Sequence, residues 1–303
     1  MVKKHSAFFE MFGSLIKVEC LHEECLKQIK EHFPIFICED PYTGPDIIVE
    51  CDWKEQGRYL FRSRPENQSG ILEGIRIKLP GGSSDYTVWD KLDPPLPPFS
   101  VPPLSNRFIG IHASCISDNN GNSMLIVGER GYGKSTLSLE LVNNYGYYLV
   151  TDELSIIHNR SNIVEPYPRP LGIWENNSEC GLIKINVPAT EVCERIADTP
   201  TVIKQIIILD KKMSHISSPL IKKLDNYLIL KALLTQHINL GLNMGEAIST
   251  LVNLSVKIPS EQLIYSDFNH LREAADICDI LFKKNINYRR KNDFNKKSQS
   301  VRR

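Results

Sequence analysis

Eight consecutive residues, Gly128-Glu129-Arg130-Gly131-Tyr132-Gly133-Lys134-Ser135, fill every fixed position of the pattern G-x-x-x-x-G-K-[ST]. An apolar stretch from Met124 to Val127 precedes them and an amphipathic one from Lys134 to Asn144 follows. That is the strand, loop and helix context in which this pattern holds a polyphosphate. Gly128, Gly131 and Gly133 let the backbone wrap closely with its N–H groups pointing inward, and the helix start adds its positive dipole. Lys134 reaches the β- and γ-phosphates, Ser135 offers a hydroxyl to Mg2+, and Tyr132 and Thr136 complete the nucleotide-contacting run. The expected ligands are ATP or GTP with Mg2+. The alternative, a glycine-rich turn that binds nothing, leaves the full match in this context unexplained.

Two apolar strands downstream end in carboxylates. Tyr148-Leu149-Val150-Thr151 runs into Asp152 and Glu153, one helix beyond the loop. A strand–helix–strand unit returns its second strand to the phosphate edge of the sheet. A carboxylate there can hold the metal or take the proton of an attacking hydroxyl. The competing reading makes Asp152 and Glu153 a surface strand end. The second strand, Ile206-Ile207-Ile208-Leu209-Asp210, looks like the metal-supporting strand of a P-loop ATPase. With Asp210 in that role the chain would be a hydrolase or a nucleotide switch. Lys211 and Lys212 follow at once and would crowd a divalent ion, which favours the kinase reading.

The remaining sequence must position these groups. Strand-like alternation at 15–20, 47–52, 58–62 and 75–79, with a helix over 22–33, predicts a small α+β N-terminal domain, residues 1–93. Six prolines between Pro94 and Pro103 block helix and central strand, so 94–104 is expected to be a semi-rigid linker. An α/β pattern follows over 105–284: strands at 124–127, 148–151, 154–158, 202–209 and 263–265, and helices at 134–144, 224–237, 244–254 and 268–282. The lysine- and arginine-rich stretch 285–303 reads as a solvated basic tail.

Composition narrows the partners. Thirty-six Lys and Arg balance 36 Asp and Glu, so no global field attracts nucleic acid. No apolar run approaches the roughly 20 residues of a membrane span, and the start carries no secretory signal pattern. The cytoplasm is the expected compartment. The eight cysteines include no CxxC pair, and Cys20, His22 and Cys25 are expected to be a helix start rather than a metal cluster.

The order Ile111-His112-Ala113-Ser114, then Leu125 to Ser135, then Leu149-Val150-Thr151-Asp152-Glu153 resembles the catalytic domain of the HPr kinase/phosphorylase family. The likeness spans about 107–210, continues thinly to 282, and is nearest to divergent members such as the kinases of lasso-peptide precursors. It implies a mixed-sheet α/β P-loop kinase domain related to phosphoenolpyruvate carboxykinase. It implies Asp152 as general base toward an acceptor serine, Glu153 and Ser135 as magnesium supports, and His112 beside the phosphates. The run Glu165-Pro166-Tyr167-Pro168-Arg169-Pro170 resembles the Pro-Arg-Pro element of the divergent members, which makes Arg169 the candidate to absorb transition-state charge. Residue-level alternatives stand beside these roles: a satisfied core histidine for His112 and a proline-stiffened turn residue for Arg169. Glu153 replaces the family's second aspartate, and Arg169-Pro170-Leu171-Gly172 is the remnant of its Arg-Gly-Leu-Gly signature. A peptide or small protein other than HPr is therefore the expected acceptor. The family's hexamers leave a homo-oligomer open.

Overall fold

The structure, a computed structural model, describes residues 4–51, 75–78, 85–86, 104, 106–177, 181–212 and 214–300. The strand expected at 58–62 and the proline run of the linker lie outside these residues. The chain forms two compact units, Met1–Phe108 with Arg169–Ala189, and Ile109–Pro168 with Thr190–Arg303. Segment 169–189 falls inside the span that composition assigns to the P-loop domain, yet by its packing it goes with the first unit.

The first unit is built on a six-stranded sheet. β1 (His5–Met11) and β2 (Ser14–Cys20) form a hairpin whose two-residue turn, Phe12-Gly13, has φ of 55° and 66°. Positive φ at both central residues matches the right-handed twist of the flanking strands. α1 (Glu23–His32) then returns the chain, past β3 (Ile37–Cys38), to β4 (Ile47–Cys51), which pairs parallel to β2. β5 (Ile75–Lys78) and β6 (Asp85–Tyr86) complete the order β3-β1-β2-β4-β5-β6. Alternation along β2 buries Ile16 and Val18 on the face that also carries Phe9 and Ile47, the partners of Ile16 on β1 and β4.

The second unit carries the phosphate loop in a mixed sheet. β7 (Phe108–Ile111), β8 (Ala113–Ser117) and β9 (Asn122–Val127) lead to α2 (Lys134–Tyr145), and β10 (Tyr148–Thr151), β11 (Ser155–His158) and β12 (Ile163–Glu165) follow. β13 (Leu171–Asn177) and β14 (Gly181–Val187) form a separate hairpin in the first unit, and α3 (Ala189–Val192) leads to β15 (Thr201–Lys211). β16 (Leu220–Lys223), α4 (Asn226–Thr235), β17 (His237–Ile238), α5 (Met244–Lys257), β18 (Ser260–Tyr265) and α6 (Leu271–Ser300) complete the chain. The strand order is β10-β8-β9-β15-β12-β11-β7-β17, with β18 pairing β15 and β16. β9, β15 and β18 run parallel, and Leu125 to Val127 and Ile206 to Leu209 are buried. Strands covered on both faces read as unbroken apolar runs, which is why these were visible in sequence.

α4 and α5 cover one side, burying Ile229, Leu233, Ala247, Leu251 and Leu254 in the cluster that holds Ile109, Ile111, Val127 and Ile206. α2 packs on α6, with the Tyr147 and Phe282 rings 5.7 Å apart. The helix expected to stop at 282 runs through Ser300, into the stretch whose composition reads as a solvated tail. Among the described residues no helix is long and apolar enough to cross a membrane.

Candidate active site

β9 delivers the loop against β15. A side chain at Gly128 would place its Cβ 3.0 Å from Leu209 Cβ and 3.5 Å from the Leu209 carbonyl oxygen. Gly128→Val is accordingly expected to cost about 1–3 kcal/mol from overpacking, read as a lowered denaturant midpoint. Gly131 and Gly133 take φ of 83° and 78°, a region costly for any residue with a Cβ. Gly133 is also the residue from which α2 starts, and no side chain caps that end, so the first N–H groups of the helix are presented to the loop. The buried Tyr265 hydroxyl donates to the Tyr132 carbonyl and ties the middle of the loop to β18.

Lys134 lies inside this turn, 6% exposed. Its Nζ donates to the carbonyls of Gly128 at 2.8 Å and Glu129 at 3.3 Å. Burial lowers its pKa, and the negative charges of Asp152 and Glu153 work in the opposite direction. A buried cation in a glycine-rich turn at an uncapped helix start is the arrangement a polyphosphate needs.

Asp152 reaches the same place through sheet topology. β10 and β9 both pair antiparallel with β8, which lies between them, so the C-terminal ends of β9 and β10 share an edge with the start of β8. That edge brings together Ser114, Ser135 and Asp152. Ser114 Oγ donates to Asp152 Oδ1, and Ser135 Oγ donates to Asp152 Oδ2 at 2.8 Å. A register shift between Leu149 and Thr151 makes Val150 an extra residue against β8, and such bulges re-aim the side chains that follow. Asp152 is only 4% exposed. Burial pushes its pKa up, the two serine hydroxyls pull it down, and Glu153 raises it.

Glu153 turns outward. Its φ is 65°, and Leu154 N–H donates across it to the Asp152 carbonyl at 2.8 Å. Thr151 Oγ1 closes the turn on the Leu154 carbonyl at 2.6 Å. A non-glycine residue in this region costs about 1–3 kcal/mol, and here that strain accompanies a chain reversal directly after an inward-facing Asp152.

His112 occupies the single-residue break between β7 and β8. Gln236, at the end of α4, holds it twice: the Gln236 carbonyl accepts from His112 N–H at 2.7 Å, and Oε1 meets Nδ1 at 2.9 Å. With Oε1 as acceptor, Nδ1 carries the proton and Nε2 presents its lone pair. Burial lowers the imidazole pKa from 6.5, Lys134 lowers it further, and the Gln236 bond raises it. His112 is therefore neutral at pH 7. An NMR titration is expected to show a midpoint below 6.5, moving lower still in Gln236→Leu; a midpoint above the ordinary value would contradict this environment.

Asp210 lies at the end of β15, where Lys212 Nζ sits 2.6 Å from Oδ2 and Gln262 Nε2 donates to the same oxygen at 2.9 Å. Thr136 is exposed on the first turn of α2. Arg169 is buried, and it belongs to the first unit while the loop, Asp152 and His112 belong to the second. Tyr167, two residues earlier, donates its N–H to the Val150 carbonyl at 2.7 Å and pairs along β10. Sequence reasoning assigned no role to Ser114, Gln236 or Tyr265. Ser114 stood within the quoted motif, whereas Gln236 and Tyr265 are distant in the chain and carry no local signal.

Ser135 Oγ is a hard oxygen donor at the base of the phosphate loop, beside the Asp152 carboxylate; such oxygen chemistry fits Mg2+, and the buried Lys134 cation fits the phosphates it would accompany. Among the described residues no group of three or more His, Cys, Asp and Glu side chains forms a metal cage.

No family model matches the sequence, and no curated protein matches it. Solved structures do match, among them the HPr(Ser) kinase/phosphatase from Coxiella burnetii, at 20% identity and a TM-score of 0.31 over 58% of this chain and 97% of that one. The fold of the chain itself is mixed α/β, with a P-loop between β9 and α2 and a small N-terminal sheet.

Proposed function

We propose that the chain is an ATP- and Mg2+-dependent kinase that phosphorylates a serine hydroxyl on a peptide or small protein. The observation that carries the reading is the buried Asp152 carboxylate, held between the hydroxyl of the P-loop serine and that of Ser114. A carboxylate whose pKa is raised by burial is a better proton acceptor than one in water. Lys134 and the loop amides hold the terminal phosphates, and α2 adds the positive end of its dipole. Ser135 and Glu153 would hold Mg2+, which when bound would neutralise charge on the phosphates. Asp152 takes the proton as the serine oxygen bonds to the γ-phosphorus, and the bond from that phosphorus to the β–γ bridging oxygen breaks with its electron pair leaving on ADP.

The order of motifs supports a place among divergent relatives of HPr kinase/phosphorylase. A ribosomally made precursor peptide is the narrower form of the acceptor and rests on Pro168-Arg169-Pro170 alone. The competing ATPase reading requires Asp210 to support the metal, but its Oδ2 is already engaged by Lys212 and Gln262. Incubation with γ-labelled ATP, Mg2+ and a degenerate serine-peptide pool tests the choice. Label on serine that disappears in Asp152→Asn supports the kinase. Label released only as inorganic phosphate, at a rate that depends on Asp210, overturns it.

A further inference from the structure

Beside the first half of the phosphate loop lies a cleft of about 670 Å³. Its walls include Gly128 and Glu129, the two residues whose carbonyls hold Lys134 Nζ. Because that lysine reaches the β- and γ-phosphates, the cleft begins at the terminal-phosphate end of the site. Gln236, which orients His112, also lines it. An acceptor hydroxyl must approach from this end to lie in line with the leaving oxygen.

The lining has a definite chemistry. Leu224, Leu228 and Ala232 give it an aliphatic wall, and Lys212, Lys222 and Lys231 set three positive charges against the carboxylates of Glu129 and Asp210, with Lys222 and Lys231 at its rim. Lys212 is paired with Asp210, whereas Lys222 and Lys231 are exposed to solvent. This positive edge is local, because the chain as a whole has no formal net charge. Two exposed lysines fall short of the long basic groove that tracks a nucleic-acid backbone, and the aliphatic wall suits an aliphatic side chain rather than a stacked base.

We infer that this cleft seats the acceptor, and that the acceptor is an acidic peptide segment in which Asp or Glu flanks the phosphorylated serine and an aliphatic residue packs on the Leu224–Leu228–Ala232 wall. The role as acceptor seat rests on the kinase reading; the preference for an acidic, aliphatic peptide rests on the cleft itself. Complementary charge at such a rim chiefly sets selectivity and encounter rate, and like charges opposite one another exclude the wrong partner.

The test uses the full chain and a fluorescein-labelled peptide, Leu-Glu-Glu-Ser-Glu-Glu-Leu, with its Glu→Lys counterpart, followed by anisotropy at low salt. The acidic peptide is expected to bind and its counterpart to bind far more weakly. The double variant Lys222→Glu/Lys231→Glu should lose about tenfold in affinity for the acidic peptide and reverse the preference. Lys222→Gln/Lys231→Gln serves if the charge reversal fails to fold, with an intermediate loss expected. Equal binding of both peptides, unchanged binding by a folded variant, or equal competition by an oligothymidylate would each overturn the assignment. Adding ATP and Mg2+ separates the two readings. Binding that obeys the lysines without phosphorylation sinks the kinase, and phosphorylation indifferent to the lysines sinks the acidic-acceptor cleft.

Discussion

Asp152→Asn is expected to reduce phosphoryl transfer by about 10³-fold or more, leave ATP affinity within a few-fold, and raise the melting temperature of the nucleotide-free protein. The loss follows from replacing a base by an amide of the same shape that cannot accept the serine proton. ATP affinity persists because Lys134 and the loop amides, which grip the phosphates, do not depend on that charge. The gain in stability follows from removing a charge that burial disfavours. Its pH dependence has a definite sign. The folded-state pKa of Asp152 lies above its ordinary 3.8, so wild type is unpenalised at pH below that value and loses stability as pH rises through the folded pKa. The variant's advantage should therefore be small in acid and full at neutral pH. Mass spectrometry of the peptide, titration calorimetry with ATP and scanning calorimetry across pH check the three parts. Near-normal transfer by the variant would remove Asp152 as the base. An unchanged melting temperature at neutral pH would mean that the serine hydroxyls fully compensate its burial.

Lys134→Met should show the opposite pattern, losing ATP binding and transfer together. Methionine preserves the length and packing of the side chain but removes the cation that meets the terminal phosphates. Charge-assisted hydrogen bonds of this kind are worth about 1.5–3 kcal/mol each, so affinity should fall by about tenfold to 100-fold. Transfer should fall further, by about 10³-fold, because charge on the phosphoryl oxygens is stabilised as the bridging bond breaks. The fold should tolerate the change. Methionine leaves the Gly128 and Glu129 carbonyls without their donor, but it also removes a cation whose pKa burial depresses from 10.5. That depressed pKa implies a penalty on wild type that is full below the folded-state pKa and fades as pH rises toward the ordinary value. Equilibrium binding of ATP with the stability curve of each variant distinguishes a lost ligand contact from a lost fold. A variant that binds ATP normally would mean that the loop amides alone hold the phosphates.

The elements read from periodicity were those whose environment repeats along them. β2, β4 and β5 were visible by alternation, β9 and β15 as unbroken apolar runs, and α2, α4 and α5 by their apolar faces; the structure contains each within a few residues of its expected limits. β1, β7, β8, β12, β16 and β17 were not read. β8 is buried throughout yet spells Ala-Ser-Cys-Ile-Ser, a composition with neither alternation nor a strong apolar run. β12 and β17 contain three and two residues, too few for any period to show, and they exist because a neighbouring strand supplies their hydrogen bonds.

The same division runs through the site. The phosphate loop was legible because its chemistry is local: eight adjacent residues, two of them glycines with φ near 80°, and a helix that starts where the lysine stands. The lysines after Asp210 weighed against it in the sequence, but what each strand-end carboxylate meets was decided by the sheet. Asp152 meets Ser135 because β8 is inserted between β9 and β10 and a bulge at Val150 resets the side chains beyond it. Asp210 ends a strand that is parallel to β9 and adjacent to the loop, but Lys212 and Gln262 engage its carboxylate. Nothing in either pentapeptide distinguishes these outcomes. Local backbone preferences and side-chain chemistry decide a loop, whereas strand order, register and the partner of each charge come from packing between segments far apart in the chain.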